Sequence, residues 1–381
     1  MQPYNANERE PERVLAFAAL DHRRCQGRIF GIRPADLARH VYVIGKTGAG
    51  KTALLERLIV AEIRAGHGVG LIDPHGDLAD RILNFIPRQR TNDVVLFDAA
   101  DAERPVGLNL LEHGEPPTRP LVVSGILSVF RKVFAEFWGP RLESVFRNCL
   151  FALLEVRGST LLGVMRMLGD ERYRAQVTAQ VRDPVVRFYW THEFAAYPKA
   201  FLAEVVSPVQ NKVAAVLTNP LLRNIVGQHT STISIVETMD AGRIFVANLS
   251  KGKLGEDASA LLGAVLVTRF QLAAYGRASQ AVEVRRPFTL YIDEFASFTT
   301  PSFGELLAEA RKFRLALVLA HQYLGQLDDG LRRAVMGNVG TLVTFQVGAE
   351  DSEVLGKEFT PELSHEDLTR VPQVAPESLG L

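Results

Sequence analysis

Residues 45–52 read Gly45-Lys46-Thr47-Gly48-Ala49-Gly50-Lys51-Thr52, which fits the pattern G-x-x-x-x-G-K-[ST]. Glycines at these positions let backbone N–H groups turn inward around phosphate oxygens. Lys51 offers a point charge to the β and γ phosphates of a nucleotide, and Thr52 offers a hydroxyl to Mg²⁺. A helix starting at Lys51 would aim its positive end at the same phosphates. A chance match is on the order of one in a hundred for a chain this long. The apolar run Val41–Ile44 before the loop and the helical pattern Lys51–Ala65 after it supply both expected flanks.

A second group of residues could complete such a site. Leu290-Tyr291-Ile292-Asp293-Glu294 is an apolar strand ending in two acids. Asp293 can hold Mg²⁺ through water, and Glu294 can orient or deprotonate an attacking water. Leu315–Ala320 is a further apolar run, followed by His321 and Gln322. Gln322 reads equally well as a γ-phosphate sensor and as a strand-end cap. Ahead of it, Ala310-Arg311-Lys312-Phe313-Arg314 suits a helix end that favours cations. Arg311 could alternatively reach a neighbouring subunit's nucleotide as an arginine finger. Two of the nine lysines lie in Ser250–Asp257, a glycine-containing loop that either touches nucleic-acid phosphates or is plain surface. Asp73, His75 and Asp77 read as a structural turn at the rim of the site, since their spacing makes a poor metal cluster.

These residues need a scaffold of strand ends. Nearly continuous apolar runs at Val41–Ile44, Val69–Ile72, Val94–Phe97, Ile244–Ala247, Phe288–Ile292, Ala316–Leu319 and Leu342–Val347 suit strands covered on both faces. Helical patterns at Lys51–Ala65, Ala258–Tyr275 and Phe303–Phe313 alternate with them, giving an α/β core with a mainly parallel sheet. From about Thr118 to Ile235 the apolar spacing is helical throughout, with Pro116-Pro117 and the Ser/Thr-rich stretch 229–234 at its edges. The expected organisation is therefore a nucleotide-binding domain from residues 1–117 and 236–381, with 118–235 as an inserted all-α domain.

Composition sets outer limits. Of 381 residues, 47% are hydrophobic and 23% charged, which is a globular balance. Formal net charge is zero, so any nucleic-acid surface must be local. The two cysteines, Cys25 and Cys149, are too few and too far apart for a cysteine-rich zinc site and suit a reducing compartment. The first residues are polar, without the apolar core of a signal peptide. No run of about 18 apolar residues suggests a membrane span, so the expected location is cytoplasmic.

Taken in order, HVYVIGKTGAGKT, GLIDPHGDL, IFVANLSKGKLGEDAS, LYIDEFASF and ARKFRLALVLAHQYLGQL resemble the FtsK–HerA superfamily of ring ATPases. Within it, they look most like the conjugative coupling proteins of type IV secretion, the TraG/TraD-like branch. The segment TLVTFQVGAEDSEVLGKEF and the helical insert with Phe137-Trp138-Gly139-Pro140-Arg141 extend the likeness over roughly residues 28 to 371. The resemblance implies a RecA-like core binding ATP and Mg²⁺, assembled as a hexameric ring around DNA with ATP at subunit interfaces. By position, Lys51 and Thr52 fill the first Walker motif, and Asp293 and Glu294 fill the second. Gln322 matches the polar sensor and Arg311 the arginine that acts in trans. Two departures stand out: the chain lacks the membrane helices that begin many coupling proteins, and it stops soon after Val371-Pro372. The function implied is a DNA-translocating coupling-type motor. The alternatives are a nucleotide-gated docking ATPase and a HerA-like ATPase working with a nuclease. A secretion-system, relaxosome or nuclease partner would bind through the all-α domain.

Overall fold

The computed structural model describes residues 18–19, 29–112, 118–359 and 365–369. Cys25, Pro116-Pro117 and the N-terminal stretch read for a signal peptide lie outside these residues. Seven strands form one parallel sheet: β1 (Val41–Ile44), β2 (Gly68–Asp73), β3 (Val94–Asp98), β4 (Ile244–Asn248), β5 (Phe288–Ile292), β6 (Leu315–His321) and β7 (Thr341–Thr344). Their order across the sheet is β3-β4-β2-β5-β6-β1-β7. The five inner strands are buried at every residue, whereas β3 and β7, at the edges, are largely half-buried. This follows from their sequences, since an inner parallel strand meets helices on both faces and is apolar throughout.

Alternate residues divide the core into two layers, because successive side chains leave a strand on opposite faces. Val41, Val43, Val69, Leu71, Val246 and Val318 pack under helices α1 (Lys51–Arg64) and α2 (Asp77–Asn84). Tyr42, Ile44, Ile72, Phe245, Ala247 and Ile292 face the other way, into a larger cluster. That cluster is continuous with the helices that follow β3: α3 (Arg119–Val133), α4 (Pro140–Leu154), α5 (Lys199–Leu217) and the shorter helices between α4 and β4. No strand occurs among residues 118–243. The chain enters and leaves this helical layer side by side. Gly107 N donates to Thr232 Oγ1, Thr232 N to Gly107 O, and Asn109 N to Ser231 Oγ.

The helical layer seats on α6 (Glu256–Gly276), which is buried on nearly every side. Close approach depends on two glycines: a Cβ at Gly125 of α3 would stand 2.6 Å from Thr268 of α6, and one at Gly263 of α6 would stand 2.2 Å from the ring of Phe298. Phe298 closes the 3₁₀ turn Phe295–Ser297 that follows Asp293 and Glu294 after β5, so the segment bearing the two acids packs on the helix that carries the all-α layer. Among the described residues two helices are long and apolar enough to cross a membrane, Lys199–Leu217 and Glu256–Ser279, and the second is 78% buried inside the fold.

Three sequence expectations change. The last strand ends at Thr344 rather than Val347, because its partner β1 ends at Ile44 and the chain turns with the loop that follows. The expected helix Phe303–Phe313 is α-helical only over α7 (Phe303–Glu309). It tightens to a 3₁₀ turn at Ala310–Phe313 and stops at Arg314, whose φ of 54° is left-handed. The stretch 250–257 is no open glycine loop. Lys251–Leu254 forms a helical turn, Leu254 is buried as its anchor, and Gly255, at φ 86°, breaks the chain before α6.

Candidate nucleotide site

The strand order places the site. All seven strands of the main sheet are parallel, so the segments following β1, β5 and β6 emerge at one end of it. Strand β6 lies between β1 and β5, with Ile44 level with His321 and Ile292 level with Leu319. Gln322 therefore stands between the glycine loop and the acidic pair.

Gly48 and Gly50 have φ of 77° and 110°, a backbone that only glycine adopts without strain. Lys51 is 7% exposed, and its Nζ donates to the carbonyls of Gly45 (2.6 Å) and Lys46 (3.2 Å). Burial lowers the Lys51 pKa, while the charges of Glu294 and Asp293 oppose that shift. The loop is thus wrapped round its own ammonium group, which faces the two carboxylates across β6.

The carboxylates are 5% and 8% exposed. Asp293 Oδ1 accepts from the Glu294 N–H at 3.0 Å. Glu294 has a left-handed φ of 48°. The Glu294 Oε1 accepts from Gln322 Nε2 at 2.9 Å, and Gln322 Oε1 accepts from Thr47 Oγ1 at 3.0 Å. One relay of side chains thereby joins the glycine loop to the second acidic residue. Burial pushes Asp293 up to about 6, and the nearby Asp73 and Glu294 carboxylates add to the shift. A buried acid held in that condition suits a hard divalent cation, and oxygen donors from Asp293 and the Thr52 hydroxyl at the start of α1 fit Mg²⁺.

Asp73 has a structural task. Its Oδ1 accepts from His75 N and its Oδ2 from Ala79 N, so it caps the first turn of α2. Among the described residues no group of three or more His, Cys, Asp or Glu could hold a metal ion. Ser250–Asp257 follows β4, three strands from β6, and Lys251 N donates to Pro74 O. Lys253 is exposed and Lys251 half-buried. Strand spacing puts this turn about 15 Å sideways from Gln322, outside the phosphate loop's own reach. Arg311 is exposed and precedes β6, at the opposite end of the sheet from the glycine loop.

Sequence reasoning missed the layer behind Gln322. The Gln326 Oε1 accepts from Gln322 N (3.2 Å) and from His321 Nδ1 (3.1 Å), and His321 Nε2 meets the Tyr42 hydroxyl. His321 is fully buried, and burial lowers its pKa to about 4. His40 is similar: Leu317 N donates to its Nδ1, its Nε2 donates to Leu307 O, and burial lowers its pKa to about 4. No sequence pattern marks either contact, since the partners lie in distant segments. Both imidazoles are neutral in the fold and gain a proton on unfolding below pH 6.5. The two histidines' contribution to stability is therefore complete above pH 6.5 and is lost as pH drops towards 4, by up to about 1.4 kcal/mol per pH unit for each. The raised Asp293 carboxyl acts in the opposite direction near pH 6. Urea midpoints at pH 7 and pH 5 in an Asp293→Asn background, which removes that opposing effect, test this, and equal midpoints would contradict it.

No family model matches the chain, and no curated protein matches it. Solved structures do. The conjugative coupling protein TrwB, in an unbound form lacking its first 70 residues, superposes with a TM-score of 0.66 at 16% identity, covering 96% of this chain and 84% of that one. TrwB in complex with ADP and Mg²⁺ gives 0.65 at 17% identity, covering 93% and 85%. VirB4 of Thermoanaerobacter pseudethanolicus gives 0.61 at 14% identity, covering 94% and 91%. With its seven parallel strands, its glycine loop and its helical layer, the chain has the RecA-like P-loop ATPase fold with an all-α domain that the conjugative coupling proteins have.

Proposed function

We propose that this chain is an ATP-driven motor of the conjugative coupling type, moving DNA through a ring of its own copies. The observation carrying the reading is the Thr47–Gln322–Glu294 relay, which ties the phosphate loop to a carboxylate able to act on water. The solved structures of TrwB with ADP and Mg²⁺, and with non-hydrolysable GTP and ATP analogues, support a nucleotide in the matching place.

In this reading residues 45–52 cradle the phosphates of ATP, with Lys51 leaving its loop carbonyls for the β and γ oxygens. Thr52 and, through water, Asp293 would hold Mg²⁺, which would supply positive charge beside the phosphates. Glu294 orients the attacking water and accepts its proton. Gln322 contacts both the loop and Glu294, so its position depends on what the loop holds. Arg311 serves the neighbouring subunit's site. The turn 250–257 offers Lys251 and Lys253 to DNA phosphates, and the layer formed by residues 118–235 recruits the secretion or processing partner.

The test is steady-state ATP hydrolysis with and without single- and double-stranded DNA, at low and moderate salt. A motor is stimulated by one DNA form, and the stimulation weakens with salt as phosphate contacts are screened. Hydrolysis indifferent to both DNA forms, in assembled protein, would replace the motor with a nucleotide-gated docking ATPase.

A further inference from the structure

The register that sets Gln322 on one side of the glycine loop sets an aromatic ring on the other. Ile44 is level with Thr344 in β7, so Phe345 lies beside Gly45 as Gln322 does across β6. The loop is stitched to this edge: Phe345 N donates to Ile44 O and Lys46 N to Gln346 O, both at 2.8 Å. The ring reaches further along the loop. A Cβ at Gly45 would stand 2.5 Å from Phe345 Cβ, and one at Gly50 would stand 3.1 Å from Phe345 Cε1. Phe345 is half-buried, with one side packed on the core layer that includes α1.

The direction of a bound nucleotide follows from these two neighbours. The γ phosphate must lie on the side of Gln322 and Glu294, because those are the groups that act on it. The phosphate chain runs through the loop over the start of α1. Its nucleoside end therefore leaves on the opposite side, over β7, the last strand of the sheet. The aromatic group standing there is Phe345. The polar side chain beside it, Gln346, donates its amide to Thr369 O at 3.1 Å, which ties the helix His365–Thr369 to the same edge.

We propose that Phe345 is the wall on which the nucleotide's base stacks, so that this chain grips a purine nucleotide by the ring face as well as by the phosphates. The proposal rests on the nucleotide-site reading above and adds to it the residue that holds the base. Phe345 is a binding residue here, and takes no part in the chemistry.

Calorimetric titration with Mg²⁺-ADP and with Mg²⁺-tripolyphosphate, which has phosphates and no base, separates the two ideas. In Phe345→Leu, which keeps an apolar side chain against Gly50, ADP affinity falls about tenfold or more, the scale of a lost base–aromatic stack. Tripolyphosphate affinity stays within about twofold of the parent. Equal losses for both ligands would mean that the ring merely shapes the loop, and no loss for either would mean that the base lies elsewhere. Both outcomes overturn the proposal. Parent protein that binds neither ligand would remove the nucleotide-site reading itself. A Phe345→Trp variant, which keeps an aromatic face, gives an independent signal. Beyond the response of the parent's own tryptophans, its fluorescence should change with ADP and not with tripolyphosphate. A change with both, or with neither, contradicts a stacked base.

Discussion

Glu294→Gln protein binds ATP as the parent does and hydrolyses it about 10²–10⁴-fold more slowly, the usual scale for loss of a general base. The substitution is nearly isosteric. Glutamine can still accept from Gln322 Nε2 through its own amide oxygen, so the relay to Thr47 survives. What disappears is the carboxylate that, in the proposed mechanism, takes a proton from water. Removing that negative charge also relieves part of the repulsion that raises Asp293, so binding should not suffer. Single-turnover hydrolysis, with ATP binding measured on the same preparation, checks both halves. Turnover within about tenfold of the parent would take Glu294 out of the role of base. Lys51→Ala is the contrasting control, since it should lose binding and turnover together.

The second large effect concerns Arg311. Arg311→Ala should leave nucleotide binding intact and lower turnover by about 10³–10⁵-fold, the range for loss of an arginine finger. The fold excludes action within one subunit. Arg311 precedes β6, and Gln322 follows it, with the whole of Leu315–His321 between them. At strand spacing that is about 20 Å along the sheet, well beyond the reach of a side chain. Any direct contact of Arg311 with a nucleotide must therefore cross to a neighbour. Mixing Arg311→Ala with Lys51→Ala subunits tests the crossing, because each supplies what the other lacks. Partial recovery of hydrolysis is expected. No recovery in a verified mixed assembly would leave Arg311 as a surface cation at a helix end.

His40 bears on the same point. It bonds to the Leu307 carbonyl in α7 and to Leu317 N in β6, fastening both sides of the turn that displays Arg311. The charge of Arg311 adds to the burial that keeps the imidazole neutral.

Much of this molecule could be read from short stretches. The phosphate loop is legible because its function needs glycines at fixed offsets, and Gly48 and Gly50 do take positive φ. The strands are legible because burial on both faces demands unbroken apolar runs, and five of the seven expected runs lie within one residue of an observed strand at each end. Ala316–Leu319 stops two residues short of His321, where the strand ends on a polar side chain. The largest departure is the last run, where pairing with β1 stops at Ile44 and no local pattern could have marked the end. The turn 250–257 misled for a related reason. Two glycines suggested an open loop, but burial of Leu254 closes Lys251–Leu254 into a helical turn.

By itself, then, the sequence determined the α/β architecture and marked the glycine loop and the acidic pair as the candidate site, since each depends on residues adjacent in the chain. Only the tertiary structure decided that Gln322 lies between Thr47 and Glu294, that Phe345 flanks the loop on its far side, and that Arg311 stands at the wrong end of the sheet to serve its own subunit. Those facts depend on strand order and register. Both are set by side-chain packing between segments hundreds of residues apart, which no local pattern encodes.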